Sequence, residues 1–156
     1  MKALTLGVTL LLFVVAHPAA QAPTILFVCE HGAAKSVVAA AHFNKRAAEA
    51  GLPFRAVSRG TAPDPSVPAR ITAGLKSEGL SVPPGFVPAG VQPAEIKNAA
   101  RVVTFDVVLP ASADLARSSK WDGLPAFSDG YGPASAAILT KVDALIREFQ
   151  TAKQKQ

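Results

Sequence analysis

Thr24-Ile25-Leu26-Phe27-Val28-Cys29-Glu30-His31-Gly32-Ala33-Ala34-Lys35-Ser36 is the stretch on which the reading of this chain turns. Its apolar half is continuous, as in a strand buried on both faces of a parallel sheet. The run ends in Cys29, the one cysteine of the 156-residue chain. Small residues follow, then a cation and a hydroxyl, and a helical pattern begins. Strand, thiol, tight loop and helix N-terminus in that order describe an oxyanion pocket with a nucleophile at its base. The thiolate is the reactive form of cysteine, and helix N-termini and cations favour it. Gly32, Ala33 and Ala34 have little bulk, so backbone N–H groups from Glu30 to Lys35 are free to converge on an oxyanion of phosphate size. Ser36 is placed to donate to the sulfur. The same residues also fit a small buried cysteine closing a core strand, ahead of a helix that begins Lys-Ser.

Around this stretch strands and helices alternate. Ser36 to Ala50 has helical spacing and stops at Gly51, with Pro53 close behind. Phe54 to Val57 reads as a second strand and Pro68 to Glu78 as a second helix, ended by Gly79. Prolines 83, 84 and 88 mark an irregular connection. Pro93 to Ala99 is a short helix with proline in its first turn. Arg101 to Phe105 is another buried strand, with Asp106 at its ligand-side end in a functional or a turn role. From Pro110 to Gly132 the pattern predicts only a short strand near Leu124. Pro133 to Phe149 is a final amphipathic helix, and the tail Lys153 to Gln156 is expected to fray. Such alternation predicts an α/β fold, a three-layer sandwich with a central, mostly parallel four-stranded sheet and helices on both faces. Ligands of such sheets bind beyond the carboxyl ends of the strands, where Cys29 lies.

Residues 1–22 read as a secretory signal, with Lys2 ahead of an apolar run from Ala3 to Ala16 and a small-residue end at Ala20-Gln21-Ala22. Residues 23–156 then form a single domain, large enough to bury a core without staples. Pro23 would follow the cut and hinder it, so a retained membrane anchor is the alternative. Without the leader no stable membrane span is expected. The expected location is periplasmic or secreted. A lone cysteine rules out an internal disulfide and a cysteine-rich zinc site, and His17, His31 and His42 show no ligand spacing, so no metal or other cofactor is expected. Formal net charge is +5, and scattered lysines without interleaved aromatics do not suggest nucleic acid.

The segment Cys29 to Ser36 resembles the active-site loop of low-molecular-weight protein tyrosine phosphatases and their arsenate-reductase relatives, which is Cys, five residues, Arg, Ser between the first strand and first helix. Ser58-Arg59-Gly60-Thr61 is similar to the family's Ser-Ala-Gly-Thr. Ser77-Glu78-Gly79-Leu80 is similar to its next helix ending, and Val102 to Asp106 to its fourth strand. The likeness runs from about Ile25 to Phe149. It implies a phosphohydrolase in which Cys29 attacks phosphorus, Lys35 takes the arginine's place, Ser36 stabilises the thiolate and residues 30 to 35 (Glu30, His31, Gly32, Ala33, Ala34, Lys35) cradle the oxyanion. The implied substrate is a phosphorylated small molecule or phosphoprotein. Three departures stand out. Lys35 lacks the planar fork of arginine. Gly32 replaces a loop-shaping asparagine. The Asp-Pro pair that carries the acid before the last helix is missing, which leaves Asp129 as the nearest acid, with Asp122 behind it, and Tyr131 at the pocket mouth or packed at the helix entry. The single Asp-Pro, Asp64-Pro65, lies in another loop and reads as a turn. Two alternatives follow: a weak or inactive domain that binds oxyanions or a partner, and an arsenate reductase that borrows an external thiol.

Overall fold

Strand β1, Thr24–Cys29, is the innermost element. Its residues from Ile25 to Val28 are fully buried, because both faces of the strand are covered. Side chains alternate across it. Ile25, Phe27 and Cys29 enter one apolar cluster, and Leu26 and Val28 enter the other. The structure is a computed structural model that describes residues 21–109 and 117–155. The leader-like residues 1–20, with most of the signal reading, lie outside the described residues.

The remaining elements are α1 (Lys35–Glu49), β2 (Arg55–Gly60), α2 (Ala69–Ser77), α3 (Pro93–Asn98), β3 (Arg101–Thr104), β4 (Ser118–Lys120), a 3-10 turn (Phe127–Asp129) and α4 (Tyr131–Gln154). The sheet order is β2-β1-β3-β4, and each described pairing is parallel. The chain leaves β1 toward β2 on one side and meets β3 on the other. Cys29 therefore sits at the point where strand order reverses, where α/β sheets open a crevice.

The larger cluster joins β1 and β3 to α1, α2 and α4. Phe27 is its centre, with ring centroids 5.9 Å from Phe43, 6.2 Å from Phe105 and 5.6 Å from Trp121. Burying a side chain of that size contributes about 1.5–3 kcal/mol. Trp121 is buried here and also packs against Phe105, with ring centroids 5.6 Å apart. The smaller cluster joins Leu26, Val28 and Val102 to Ile96 and Ala99 at α3. Helices thus cover both faces.

Three expectations are corrected. The fourth strand is Ser118–Lys120, paired with Val102–Thr104, and does not lie near Leu124. It is a short polar edge strand with no apolar alternation to reveal it. The last helix starts at Tyr131 and runs to Gln154, so it is longer at both ends than the apolar stripe. Pro133 sits in its first turn, where a missing N–H costs no helical bond. Lys153 is not frayed, since its ammonium donates to the Gly51 carbonyl at 3.1 Å.

Candidate active site

Cys29 ends β1 with its side chain buried in the α1 face of the sheet. Its sulfur lies 3.1 Å from Oγ of Ser36, which is fully buried in the first turn of α1. No side chain caps that helix; Ala34 is the N-cap, so the first amides of α1 are left to the loop. A hydroxyl and the N-terminus of a helix are thus the sulfur's polar neighbours.

The direction of the loop's carbonyls decides what its amides do. Cys29 O accepts from Thr61 N–H at 3.1 Å, Glu30 O from Ala62 at 2.8 Å and His31 O from Asp64 at 3.0 Å. Three consecutive carbonyls are thus tied outward to the segment after β2. Gly32 then turns with φ +61°, the left-handed region that glycine enters without steric cost. A Cβ on Gly32 would stand 2.7 Å from Gly60 N, and one on Gly60 would stand 2.8 Å from Glu30 O. The two glycines are backbone pressed on backbone. Gly32 therefore supplies the loop shape that the missing asparagine had put in question, and Gly60 explains the glycine of Ser58-Arg59-Gly60-Thr61. Arg59 itself points elsewhere and pairs with Glu95 of α3 at 2.6 Å.

Lys35 is mostly buried and already engaged. Its Nζ donates to Asp106 Oδ2 at 2.7 Å and to the Leu124 carbonyl at 3.0 Å. Asp106 holds an unusual backbone, φ 54°, in a residue other than glycine. Its Oδ1 accepts from Gly123 N–H at 2.8 Å, and its own N–H donates to Asp122 Oδ1 at 2.9 Å. The Lys35 hydrogen bond and then the Gly123 amide, helped by the lysine charge, hold the Asp106 carboxyl below its ordinary value against the opposing effect of burial. Asp106 is thus the ion-pair partner of the loop cation, and Asp122 braces the turn beneath it.

His31 is half exposed at the rim, with Nδ1 3.2 Å from Asp64 Oδ1 and Nε2 3.6 Å from Glu30 Oε2. The Asp64-Pro65 loop, read from sequence as a plain turn, is folded against the cysteine loop. Asp129 is exposed on the 3-10 turn and accepts from Ser128 at 3.0 Å. Tyr131 takes the packing role: its ring stacks beside Phe127 with centroids 5.3 Å apart, and its hydroxyl donates to Glu78 at 2.7 Å. Burial, then the Glu78 contact, push its phenol well above the ordinary value. Glu78 also accepts from Ser135 at 2.7 Å and sits 3.1 Å from His42 Nε2, which makes it the knot between α1, α2 and α4. The only hint of this in the sequence was Glu78 at a helix end. A separate cavity of about 400 Å³, lined by Val37, Ala41, Leu80, Val82 and Phe86 among others, contains no residue of the 29–36 loop. Among the described residues no group of three His, Cys, Asp or Glu is placed to hold a metal.

Residues 24–116 match the family model of low molecular weight phosphotyrosine protein phosphatases, more than half of the chain. The chain belongs to that family. It is a phosphatase-like hydrolase by family, and the matched segment includes Cys29. No curated protein matches it. Solved structures that share its fold include the following three. A low molecular weight phosphotyrosine phosphatase from Vibrio cholerae O395 is 15% identical, with TM-score 0.70, covering 82% of this chain and 97% of its own. The YwlE arginine phosphatase from Geobacillus stearothermophilus is 20% identical, with TM-score 0.69 and coverage of 86% and 97%. An arsenate reductase from Archaeoglobus fulgidus DSM 4304 is 23% identical, with TM-score 0.62 and coverage of 81% and 98%.

Proposed function

We propose that the protein is a thiol-dependent phosphohydrolase acting on a phosphorylated small molecule or phosphoprotein. The observation that carries this is the Cys29 sulfur, 3.1 Å from the Ser36 hydroxyl at an N-terminus with no side-chain cap, inside a loop whose carbonyls are bonded outward. In this reading the Cys29 thiolate attacks phosphorus. The S–P bond forms as the P–O bond to the leaving group breaks, and the leaving oxygen takes a proton. Water then attacks the cysteinyl-phosphate, the thiolate departs and inorganic phosphate is released. The amides of Glu30, His31, Gly32, Ala33, Ala34 and Lys35 hold the equatorial oxygens, and Lys35 adds its charge. The family's arrangement would draw the proton from Asp129, ahead of the last helix.

Hydrolysis of para-nitrophenyl phosphate by the protein, with Cys29→Ser as the blank, tests the reading. Activity lost in Cys29→Ser supports it. Absence of activity above the blank from acid to neutral pH overturns it. A second reading has its own observation: the Lys35 ammonium is held by Asp106 and Leu124. On that reading the loop binds phosphate-like oxyanions or a partner with little or no turnover, and phosphate would bind in the absence of hydrolysis. Arsenate reduction is the third; with one cysteine it would need an external thiol, and arsenate-dependent consumption of added thiol is its test.

The leader-like residues 1–22 support a periplasmic or secreted setting, with a membrane anchor if they are retained. Cell fractionation with and without residues 2–22 tests this. No helix among the described residues is long and apolar enough to cross a membrane.

A further inference from the structure

We propose that the cavity along the outer edge of β2 binds a small, mostly apolar molecule carrying a carbonyl or carboxylate oxygen, with Ser58 N–H as the donor to that oxygen. β2 is an edge strand, joined to β1 on one side only. Arg55 N–H bonds the Pro23 carbonyl and Thr61 N–H the Cys29 carbonyl, so the odd-numbered residues of β2 turn their main-chain groups toward β1. The N–H and C=O groups of Ala56, Ser58 and Gly60 then face the free edge.

That edge is closed at both ends. Asn44 of α1 holds Ala56 as a neighbouring strand would, accepting from its N–H at 2.7 Å and donating to its carbonyl at 3.0 Å. Gly60 donates to the Ala89 carbonyl and accepts from Val91 N–H, each at 2.9 Å. Between them, Arg59 Nη1 donates to the Ser58 carbonyl at 2.8 Å. Ser58 N–H is left with no partner among the described residues, in a residue only 4% exposed. Buried amides without a partner are rare in folded proteins.

The cavity beside this edge holds about 400 Å³, within the range of small-ligand sites. Val37, Ala40 and Ala41 of α1 form one wall, and Leu80, Val82 and Phe86 of the connection after α2 form the other. These features set the occupant. An open edge one residue long is too short for a peptide strand, which needs successive pairings. Apolar walls favour a hydrocarbon body. A lone amide donor matches one acceptor oxygen. The charged residues at the cavity are Arg55 and Arg59, and no described acid lines it, so a neutral or anionic molecule is favoured over a cation. No residue from Cys29 to Ser36 lines the cavity, so binding here does not depend on the chemistry at Cys29.

Titration of the isotope-labelled protein, followed at the Ser58 amide by two-dimensional NMR, tests this. The probes share one ring: acetophenone with a neutral carbonyl, benzoate with a carboxylate, ethylbenzene with no acceptor and benzylamine with a cation. Acetophenone or benzoate should move the Ser58 amide proton downfield and saturate with Kd on the order of 1 mM, the size expected of so small a ligand. Ethylbenzene should bind about 5- to 10-fold more weakly, the worth of one hydrogen bond, and benzylamine no better than ethylbenzene. Whichever of acetophenone and benzoate binds more tightly tells whether the ligand is a neutral carbonyl compound or an acid. Ala41→Phe, at a half-buried position of α1, and Val82→Trp, in the connection, each put a ring into the cavity and should abolish the acetophenone titration. A Ser58 amide that neither acetophenone nor benzoate moves overturns the proposal. So does ethylbenzene binding as tightly as both of them, or affinity unchanged in the filled variants that fold.

Discussion

Replacing Lys35 by arginine tests the proposed binding of an oxyanion by the loop. A lysine ammonium has three protons. In this structure one is directed at Asp106 Oδ2, 2.7 Å away, and a second at the Leu124 carbonyl, 3.0 Å away. One remains for an oxyanion. An arginine has five N–H donors in a fixed fork. With two given to the same partners, a parallel pair is still free to grip two equatorial oxygens. The substitution thus adds one charge-assisted hydrogen bond, worth about 1.5–3 kcal/mol. At about 1.4 kcal/mol per decade that is on the order of 10- to 100-fold. The assay is the inhibition constant of inorganic phosphate, read alongside kcat/KM on para-nitrophenyl phosphate. Lys35→Arg should tighten phosphate and raise kcat/KM by that order. Phosphate affinity that is unchanged or weaker in Lys35→Arg would refute the donor count and mean that Lys35 serves Asp106 and Leu124 rather than the ligand.

Gly32→Ala should abolish loop function: the left-handed φ of +61° costs about 1–2 kcal/mol and the 2.7 Å contact with Gly60 N about 1–3 more; a variant that binds phosphate like wild type would contradict this. His42 should make stability fall in acid. Burial depresses its protonation, opposed by Glu78 and Asp143 and aided by Arg46, so the net value lies below the ordinary one. Its contribution is then full above about pH 6.5 and declines as pH falls through that value, where the unfolded chain takes up the proton first. Urea midpoints of wild type and His42→Gln between pH 5 and 7.5 should converge toward acid, and parallel curves would refute the assignment. Gly74→Ala should lower Tm although alanine favours helix by about 1 kcal/mol, because its Cβ would meet the Tyr131 ring at 2.1–2.4 Å and break the Glu78 contact; a higher Tm would show that the ring moves aside freely.

The legible parts of this fold were those with a strong local pattern. The apolar run of β1, the helix after Lys35 and the strand from Arg101 are each set by periodicity, and each is found close to where it was expected. β4 was missed because Ser118-Ser119-Lys120 is a short polar strand that carries no apolar signal. At the site, Cys29, Lys35 and Ser36 were legible because they are close in sequence. Asp106 was visible only as a strand end, since its meeting with Lys35 spans 71 residues. The Asp64–His31 pair was hidden for a similar reason: a turn dipeptide says nothing about which loop it folds onto. Glycines 32 and 60 each look like ordinary loop glycine, and only their close approach shows why neither accepts a side chain.

The charge count at the loop bears on both functional readings. Lys35 is neutralised at 2.7 Å by Asp106, so the pair brings little net charge to the site. On either proposed reading, attraction for an oxyanion then falls mainly on backbone: the amides of residues 30 to 35, in a loop whose Cys29, Glu30 and His31 carbonyls are bonded to the segment after β2, and the first turn of α1. That part of the site depends on two glycines and on small side chains, not on the identity of residue 35. A cradle made of backbone keeps its shape when arginine becomes lysine, while the donors aimed at the transferring group fall from a fork to a single proton. A lysine here still fits an anion site, and what it takes from the site is one charge-assisted hydrogen bond to the equatorial oxygens, a loss felt in phosphate affinity as well as in turnover.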